Sequence, residues 1–189
     1  MSELIHELLL KSAEAAPERE ALKYRADSLG YGDLAQAVEA FAGGCIRLRL
    51  ARHDRVAVWA DKRPETVISM LGAAAAGCVF VPINPILKAE QAAHILQDCN
   101  VRLLVTTPER MSGLAELARS CPDLSQVALM GDQEKWAPDM RTPEGISLHS
   151  FDDLCQAGSA RAHSCIDADM AAILYTSGST GRPKGVVLS

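Results

Sequence analysis

Residues 55–83 read RVAVWADKRPETVISMLGAAAAGCVFVPI, and this stretch decides the class of fold. The run RVAVWA at 55–60 is apolar at consecutive positions, as expected of a strand covered on both faces. Pro64 follows, where its fixed φ suits the first turn of a helix. The spacing predicts a helix over 65–76 with Val67, Ile68, Leu71 and Ala75 facing inward. Its many alanines let it lie close to a sheet. A second strand is expected over 78–83, closed by Pro82 and the turn at Asn84-Pro85. Strand, helix, strand is a βαβ unit, which implies parallel pairing and a right-handed crossover.

The alternation continues outward. A helix is expected over 89–97 and a strand over 101–106, then a helix over 111–118 and a strand over 126–130. The fold class is therefore α/β: an open, mostly parallel sheet with helices on both faces. Upstream, Leu4, Ile5, Leu8, Leu9 and Ala15 share one side of a helix over 3–15, capped by Ser2 and stopped at Pro17. A short strand over 21–24 leads into a polar turn over 25–30. A second helix starts near Tyr31 with the stripe Leu34, Val38, Phe41, Ala42 and Cys45. Gly43-Gly44 leaves open whether it stops there or reaches Leu48. Pro138, Pro143, Gly145 and Gly158 break the order beyond 131, where a surface connection holds one short helix over 151–156. The expected organisation is an early helical region 1–50, an α/β region 51–130, an irregular connection 131–168 and a phosphate-loop region 169–189.

Composition limits the function. The chain is 48% hydrophobic and 23% charged, so a packed core is expected. A net charge of −5 argues against non-specific nucleic-acid binding, and no nucleic-acid partner is expected. Arg47, Arg49, Arg52, Arg55 and Arg63 are read as solvated side chains around a turn. The six cysteines form no CxxC pair and no secretory leader is seen, so reduced thiols and a cytoplasmic location are expected. The longest apolar region, 70–83, is interrupted by Gly72, Gly77 and Pro82. It falls short of the roughly 20 residues of a membrane span.

The chemistry concentrates in residues 171–188, AAILYTSGSTGRPKGVVL. They read as strand, phosphate-binding loop, strand. Gly178, Gly181 and Gly185 permit positive φ and close approach by a ligand. Thr176, Ser177, Ser179 and Thr180 offer hydroxyls, and successive peptide N–H groups in a compact loop form an anion nest. Lys184 adds a mobile positive charge, and Pro183 restrains the chain before it. This is not a Walker loop: Arg182 and Pro183 separate Gly181 from Lys184, and a strand rather than a helix follows. GxGxxG is absent, so a nicotinamide-binding Rossmann site has no support.

The stretch YTSGSTGRPKG at 175–185 resembles the signature of the adenylate-forming (AMP-binding) enzymes. That superfamily comprises acyl-CoA and aryl-CoA ligases, peptide-synthetase adenylation domains and luciferases. YGDL at 31–34 and LGAAAAGCVFVPINP at 71–85 agree with the same family. The likeness spans nearly the whole chain and is that of a partial large N-terminal domain of an adenylate-forming enzyme, of the acyl-CoA ligase type. A finer resemblance is to bacterial ligases associated with exosortase systems. Gly30 stands where relatives often carry a Thr or Ser helix cap.

The resemblance implies that Thr176, Ser177, Gly178, Ser179, Thr180, Gly181 and Lys184 line a site for the β- and γ-phosphates of ATP. It implies attack of a substrate carboxylate on the α-phosphate, with Mg²⁺ assisting and pyrophosphate leaving. Transfer of the acyl group to the thiol of coenzyme A or a carrier phosphopantetheine would follow. The implied partners are a carboxylic-acid substrate, the C-terminal portion of the enzyme and an acyl-carrier protein. The remaining acids, the acyl pocket and the catalytic Lys of the family are expected beyond Ser189, so no complete catalytic set and no metal site is expected within the chain. The 189-residue chain is expected to be inactive in exchange by itself. The alternatives are a carrier-loading adenylation domain and a non-catalytic nucleotide-binding or interaction module.

Other reactive residues have plainer readings. His6, His53, His94, His149 and His163 lack a common metal spacing. Asp167 and Asp169 are read as a solvated turn, Trp59 as core and Trp136 as a surface anchor. Tyr175 is read as packing beneath the loop.

Overall fold

The computed structural model describes residues 4–113, 119–131, 136, 143–156, 161–176 and 183–189. In chain order the elements are α1 (Ile5–Ala15), β1 (Glu20–Tyr24), β2 (Asp27–Gly30), α2 (Tyr31–Arg47), β3 (Arg55–Trp59), α3 (Pro64–Ala75) and β4 (Val79–Pro82). Then come α4 (Ala89–Asp98), β5 (Val101–Thr106), a 3₁₀ turn (Pro108–Gly113), β6 (Gln126–Leu129), β7 (Ser147–Ser150), α5 (Phe151–Cys155), β8 (Ala172–Thr176) and β9 (Lys184–Leu188). Among the described residues, the main sheet has the order β7-β6-β5-β3-β4-β8-β9. Neighbours are parallel except at β8–β9, which form an antiparallel hairpin. β1 and β2 pair separately as a ribbon.

Alternation along the central strands sends side chains to two cores. Val56, Val58, Leu103, Val105 and Ala128 face α2, α3 and α5. Ala57, Trp59, Val81, Leu104, Val127 and Leu129 face α4 and the chain around Met111 and Leu124. The register shifts where Arg55 pairs with Val101 but Val56 with Leu103. The extra residue, Arg102, lets Val101 and Leu103 serve opposite cores although they are two apart.

The expected βαβ unit is present, with Ile68 inward and Leu71 and Ala75 against the core as expected, but the most buried face of α3 also takes in smaller residues. Ile68, Ser69, Gly72, Ala73 and Ala74 are buried, while Val67, Leu71 and Ala75 are only partly covered. A Cβ on Gly72 would lie 2.7 Å from Phe41 Cδ1 and 3.0 Å from the Val38 carbonyl oxygen. The small residues are the contact surface with α2, and Ser69 tolerates burial because its hydroxyl donates to the Glu65 carbonyl at 2.6 Å. α2 runs through Gly43-Gly44 to Arg47. A Cβ on Gly44 would lie 2.5 Å from the Leu154 carbonyl oxygen, so glycine is needed where α5 crosses. Phe41 stacks on Phe151 with centroids 5.6 Å apart.

Five further expectations are revised. In α1, Leu9 is buried, with Leu10 and Ala13 leaning on the core, whereas Ile5 and Leu8 are exposed; the expected cap, Ser2, lies outside the described residues. The expected turn at 25–30 is a turn plus β2, with Arg25 at φ 56°. The connection 131–168 contains the edge strand β7, whose polar SLHS sequence carries no alternation to read. Arg47 and Arg52 are exposed, as expected, but like the half-buried Arg55 and Arg63 they hold partners. Arg47 donates to the Leu154 carbonyl, Arg52 pairs with Asp169 at 2.6 Å, and Arg63 pairs with Glu65. Arg55 donates to the Cys99 and Asn100 carbonyls at 2.5 and 2.8 Å, placing a cation at the negative end of α4. The expected helix over 111–118 begins in the 3₁₀ turn, and residues 114–118 lie outside the described residues.

The cysteines are free, and Cys45, Cys78, Cys99 and Cys121 are buried. Burial pushes the Cys78 and Cys155 thiols up to about 12, which leaves them poor nucleophiles. No described helix is long and apolar enough to cross a membrane.

Two outcomes follow from these contacts. Gly44→Ala should cost about 1–3 kcal/mol in denaturant unfolding, because the added methyl has no room beneath Leu154. Hydrogen bonding from Arg52 holds the Asp169 carboxyl down at about 2, from an ordinary 3.8. Its contribution to stability is full above the unfolded value and is lost as pH falls through the folded one. Urea unfolding of wild type and Asp169→Asn should therefore differ at neutral pH and converge between about pH 4 and pH 2. A gap independent of pH would show that the ion pair contributes nothing.

Candidate functional site

β8 lies parallel to β4, so it ends at the same edge of the sheet as Trp59, Pro82 and Thr106, the carboxyl ends of β3, β4 and β5. In open parallel sheets that edge is where ligands bind. The β8–β9 register is unbroken: Ala172 faces Leu188, Ile173 faces Val187, Leu174 faces Val186, Tyr175 faces Gly185 and Thr176 faces Lys184. The strand–loop–strand reading of 171–188 thus becomes a hairpin whose last pair is Thr176 and Lys184. Both are exposed, so a hydroxyl and an ammonium flank the loop from opposite strands. Ser177, Gly178, Ser179, Thr180 and Gly181 lie outside the described residues.

Gly185 serves a purpose different from conformational freedom. It is an extended strand residue, and a Cβ there would meet Ile173 Cγ2 at 2.9 Å and the Tyr175 ring at 3.2 Å. The ring of Tyr175 lies across the space that a side chain would fill. Beyond the ring, the Tyr175 hydroxyl donates to the Asp98 carboxylate at the end of α4. Cys99 Sγ lies 3.3 Å from the same oxygen. The phenol has one proton, committed to Asp98, so the thiol donates to Tyr175 Oη. Burial, followed by the bond to Asp98, raises the phenol far above its ordinary value, keeping it a neutral donor. Sequence reading left Tyr175 as packing and missed Asp98 and Cys99 altogether. The two ends of the contact are 77 residues apart, and nothing local marks them as partners.

The neighbouring carboxyl edge is also fixed. The Thr106 hydroxyl donates to the Trp59 carbonyl at 2.8 Å. The Arg110 guanidinium lies 4.6 Å over the Trp59 ring and donates to the Pro85 carbonyl at 3.1 Å. Trp59 is core, as expected, and Trp136 is half-buried against the same core. Asp169, expected in a solvated turn, is engaged by Arg52 and by His53 at 3.3 Å. Among the described residues, no group of three His, Cys, Asp or Glu side chains is placed to hold a metal ion. An apolar hollow of about 330 Å³, lined by Phe80, Cys165, Met170 and Ala172 among others, lies towards the opposite end of β8 and does not include Thr176 or Lys184.

Comparison with known proteins bears on the family and the fold. The AMP-binding enzyme family matches over residues 9–189. The L-proline–[L-prolyl-carrier protein] ligase of Streptomyces coelicolor is 34% identical over 168 residues, covering 86% of this chain and 30% of that protein. The crotonobetaine/carnitine–CoA ligase of Salmonella paratyphi A is 34% identical over 161 residues, covering 84% of this chain and 30% of that protein. The fold is similar to the crystal structure of the anthranilate CoA ligase AuaEII in complex with anthranoyl-AMP, with a TM-score of 0.84 at 21% identity over 98% of this chain and 34% of that one. The chain spans 30% of the length of each of the two curated relatives. By its family match over residues 9–189, the chain belongs to the AMP-binding enzyme family.

Proposed function

We propose that the protein containing this chain is an AMP-forming ligase. It activates a carboxylic acid with ATP to an acyl-adenylate and passes the acyl group to the thiol of coenzyme A. The observation that carries this reading is the family match over 9–189 together with a hairpin that sets Thr176 opposite Lys184. Bound ATP supplies the α-phosphate that activates the carboxylate and the pyrophosphate that leaves. The described flanks suit a polyphosphate. The Lys184 ammonium is a mobile point charge for phosphate oxygens, and the Thr176 hydroxyl is a donor on the facing strand. Ser177, Gly178, Ser179, Thr180 and Gly181 are assigned to the same phosphate site. Donors aimed at the charge that develops on the leaving group lower the barrier to its departure. Mg²⁺ belongs to the proposal, with its ligands outside the described residues.

A carrier phosphopantetheine is the second reading of the acceptor, supported by a relative that is a carrier-protein ligase and equals the CoA ligase in identity at 34%. An acyl-carrier protein would then be the partner. The finer likeness to exosortase-associated ligases rests on the sequence resemblance alone. Six free cysteines, four of them buried, support a reducing, cytoplasmic location.

Lys184→Ala tests the phosphate role. In acid-dependent ATP–pyrophosphate exchange at subsaturating ATP, it should lower the rate by about tenfold or more, the worth of one charge-assisted hydrogen bond. Exchange at the wild-type rate would remove Lys184 from the phosphate site.

A further inference from the structure

We propose that Tyr175 is a positioning residue: its ring over Gly185 and its hydroxyl on Asp98 anchor the end of the β8–β9 hairpin, and with it Thr176 and Lys184, to the C-terminus of α4. The need for an anchor comes from Pro82. The Phe80 N–H donates to the Ala171 carbonyl at 3.1 Å, so Phe80 is a β4 residue whose donor points at β8. The Ile83 N–H donates the other way, to Val58 on β3. Donors alternate along a strand, so the next one aimed at β8 belongs to residue 82, which is proline and has none. The recorded register between the two strands is accordingly the single pair Phe80 and Ala172. Pro82 thus offers β8 no donor, and from Leu174 to Thr176 the strand pairs with β9.

A side-chain contact adds to a ladder that lacks one donor at Pro82. Among the described residues 173–176, Tyr175 is the one with a recorded side-chain hydrogen bond to a distant element. Its ring also covers Gly185, whose lack of a side chain makes the overlap possible. One residue thus ties β8, β9 and α4 together, directly beside the Thr176–Lys184 pair. Arg55 holds the same helix end from the other side, through the Cys99 and Asn100 carbonyls, so Asp98 is itself on a fixed support.

The functional part of this inference rests on the phosphate-binding reading, and the test separates the two. Tyr175→Phe keeps the ring and removes the hydroxyl, Asp98→Ala removes the acceptor, and Asp98→Asn keeps an oxygen that can accept. Amide hydrogen exchange and ATP titration are measured on each, beside Lys184→Ala. Tyr175→Phe and Asp98→Ala should each speed exchange at residues 184–187 by about tenfold, with α2 and β3 unmoved. The double variant should add little to either, and Asp98→Asn should recover most of the loss. The apparent Kd for ATP should rise several-fold in Tyr175→Phe while KM for the carboxylic acid stays constant. Wild-type hairpin exchange in Tyr175→Phe would overturn the anchor. Faster exchange with unchanged ATP affinity, where Lys184→Ala does weaken ATP, would overturn the positioning role. If Lys184→Ala leaves ATP binding intact while exchange still accelerates in Tyr175→Phe, the anchor stands and the phosphate reading falls.

Discussion

Burial of β3, β5 and β6 on both faces is the constraint from which the rest follows. A strand covered on both sides must be apolar at successive positions, and its two sets of side chains need two separate helical layers. Val56 and Val58 require α2 and α3, while Ala57 and Trp59 require α4. Once those layers are in place, the carboxyl ends of the strands form one open edge. β8 joins the sheet on the far side of β4 and brings Thr176, with Lys184 opposite it, to that edge.

The helical layer on the α2–α3 side is held by closeness rather than bulk. Gly72 lets Phe41 approach α3, and Gly44 lets α5 cross α2. Glycine within a helix costs about 1 kcal/mol relative to alanine, so each is retained where the gain in packing exceeds that loss. The same economy of space recurs at Gly185, where an aromatic ring occupies what a side chain would fill.

These constraints explain what was legible in the sequence. β3, α3 and β4 were readable because continuous apolar runs and Pro64 mark them without reference to anything distant. β7 and β2 were not, since an edge strand and a two-stranded ribbon are half-exposed and carry no consistent alternation. The buried stripe of α3 was read in part: Ile68 is buried and Leu71 and Ala75 pack against the core, but hydrophobic bulk gives no sign that the close helix contact buries Gly72 and Ala73. At the site, the strand–loop–strand order around Thr176 and Lys184 could be read from its composition, whereas the antiparallel pairing of the two strands was not. Its link to Asp98 and Cys99 could not, because a hydrogen bond between residues so far apart leaves no periodic trace.

The strand order carries a kinetic meaning as well. β3, α3 and β4 are neighbours in both sequence and space, and they can assemble through short loops. β8 meets β4 only after the whole excursion through β5, β6 and β7, where Phe80 finally pairs with Ala172. Contacts between distant segments are costly to nucleate and form late. The β8–β9 hairpin, by contrast, is itself local in sequence. The end of the sheet that carries Thr176 and Lys184 therefore joins a hairpin close in sequence to a docking contact that spans most of the chain.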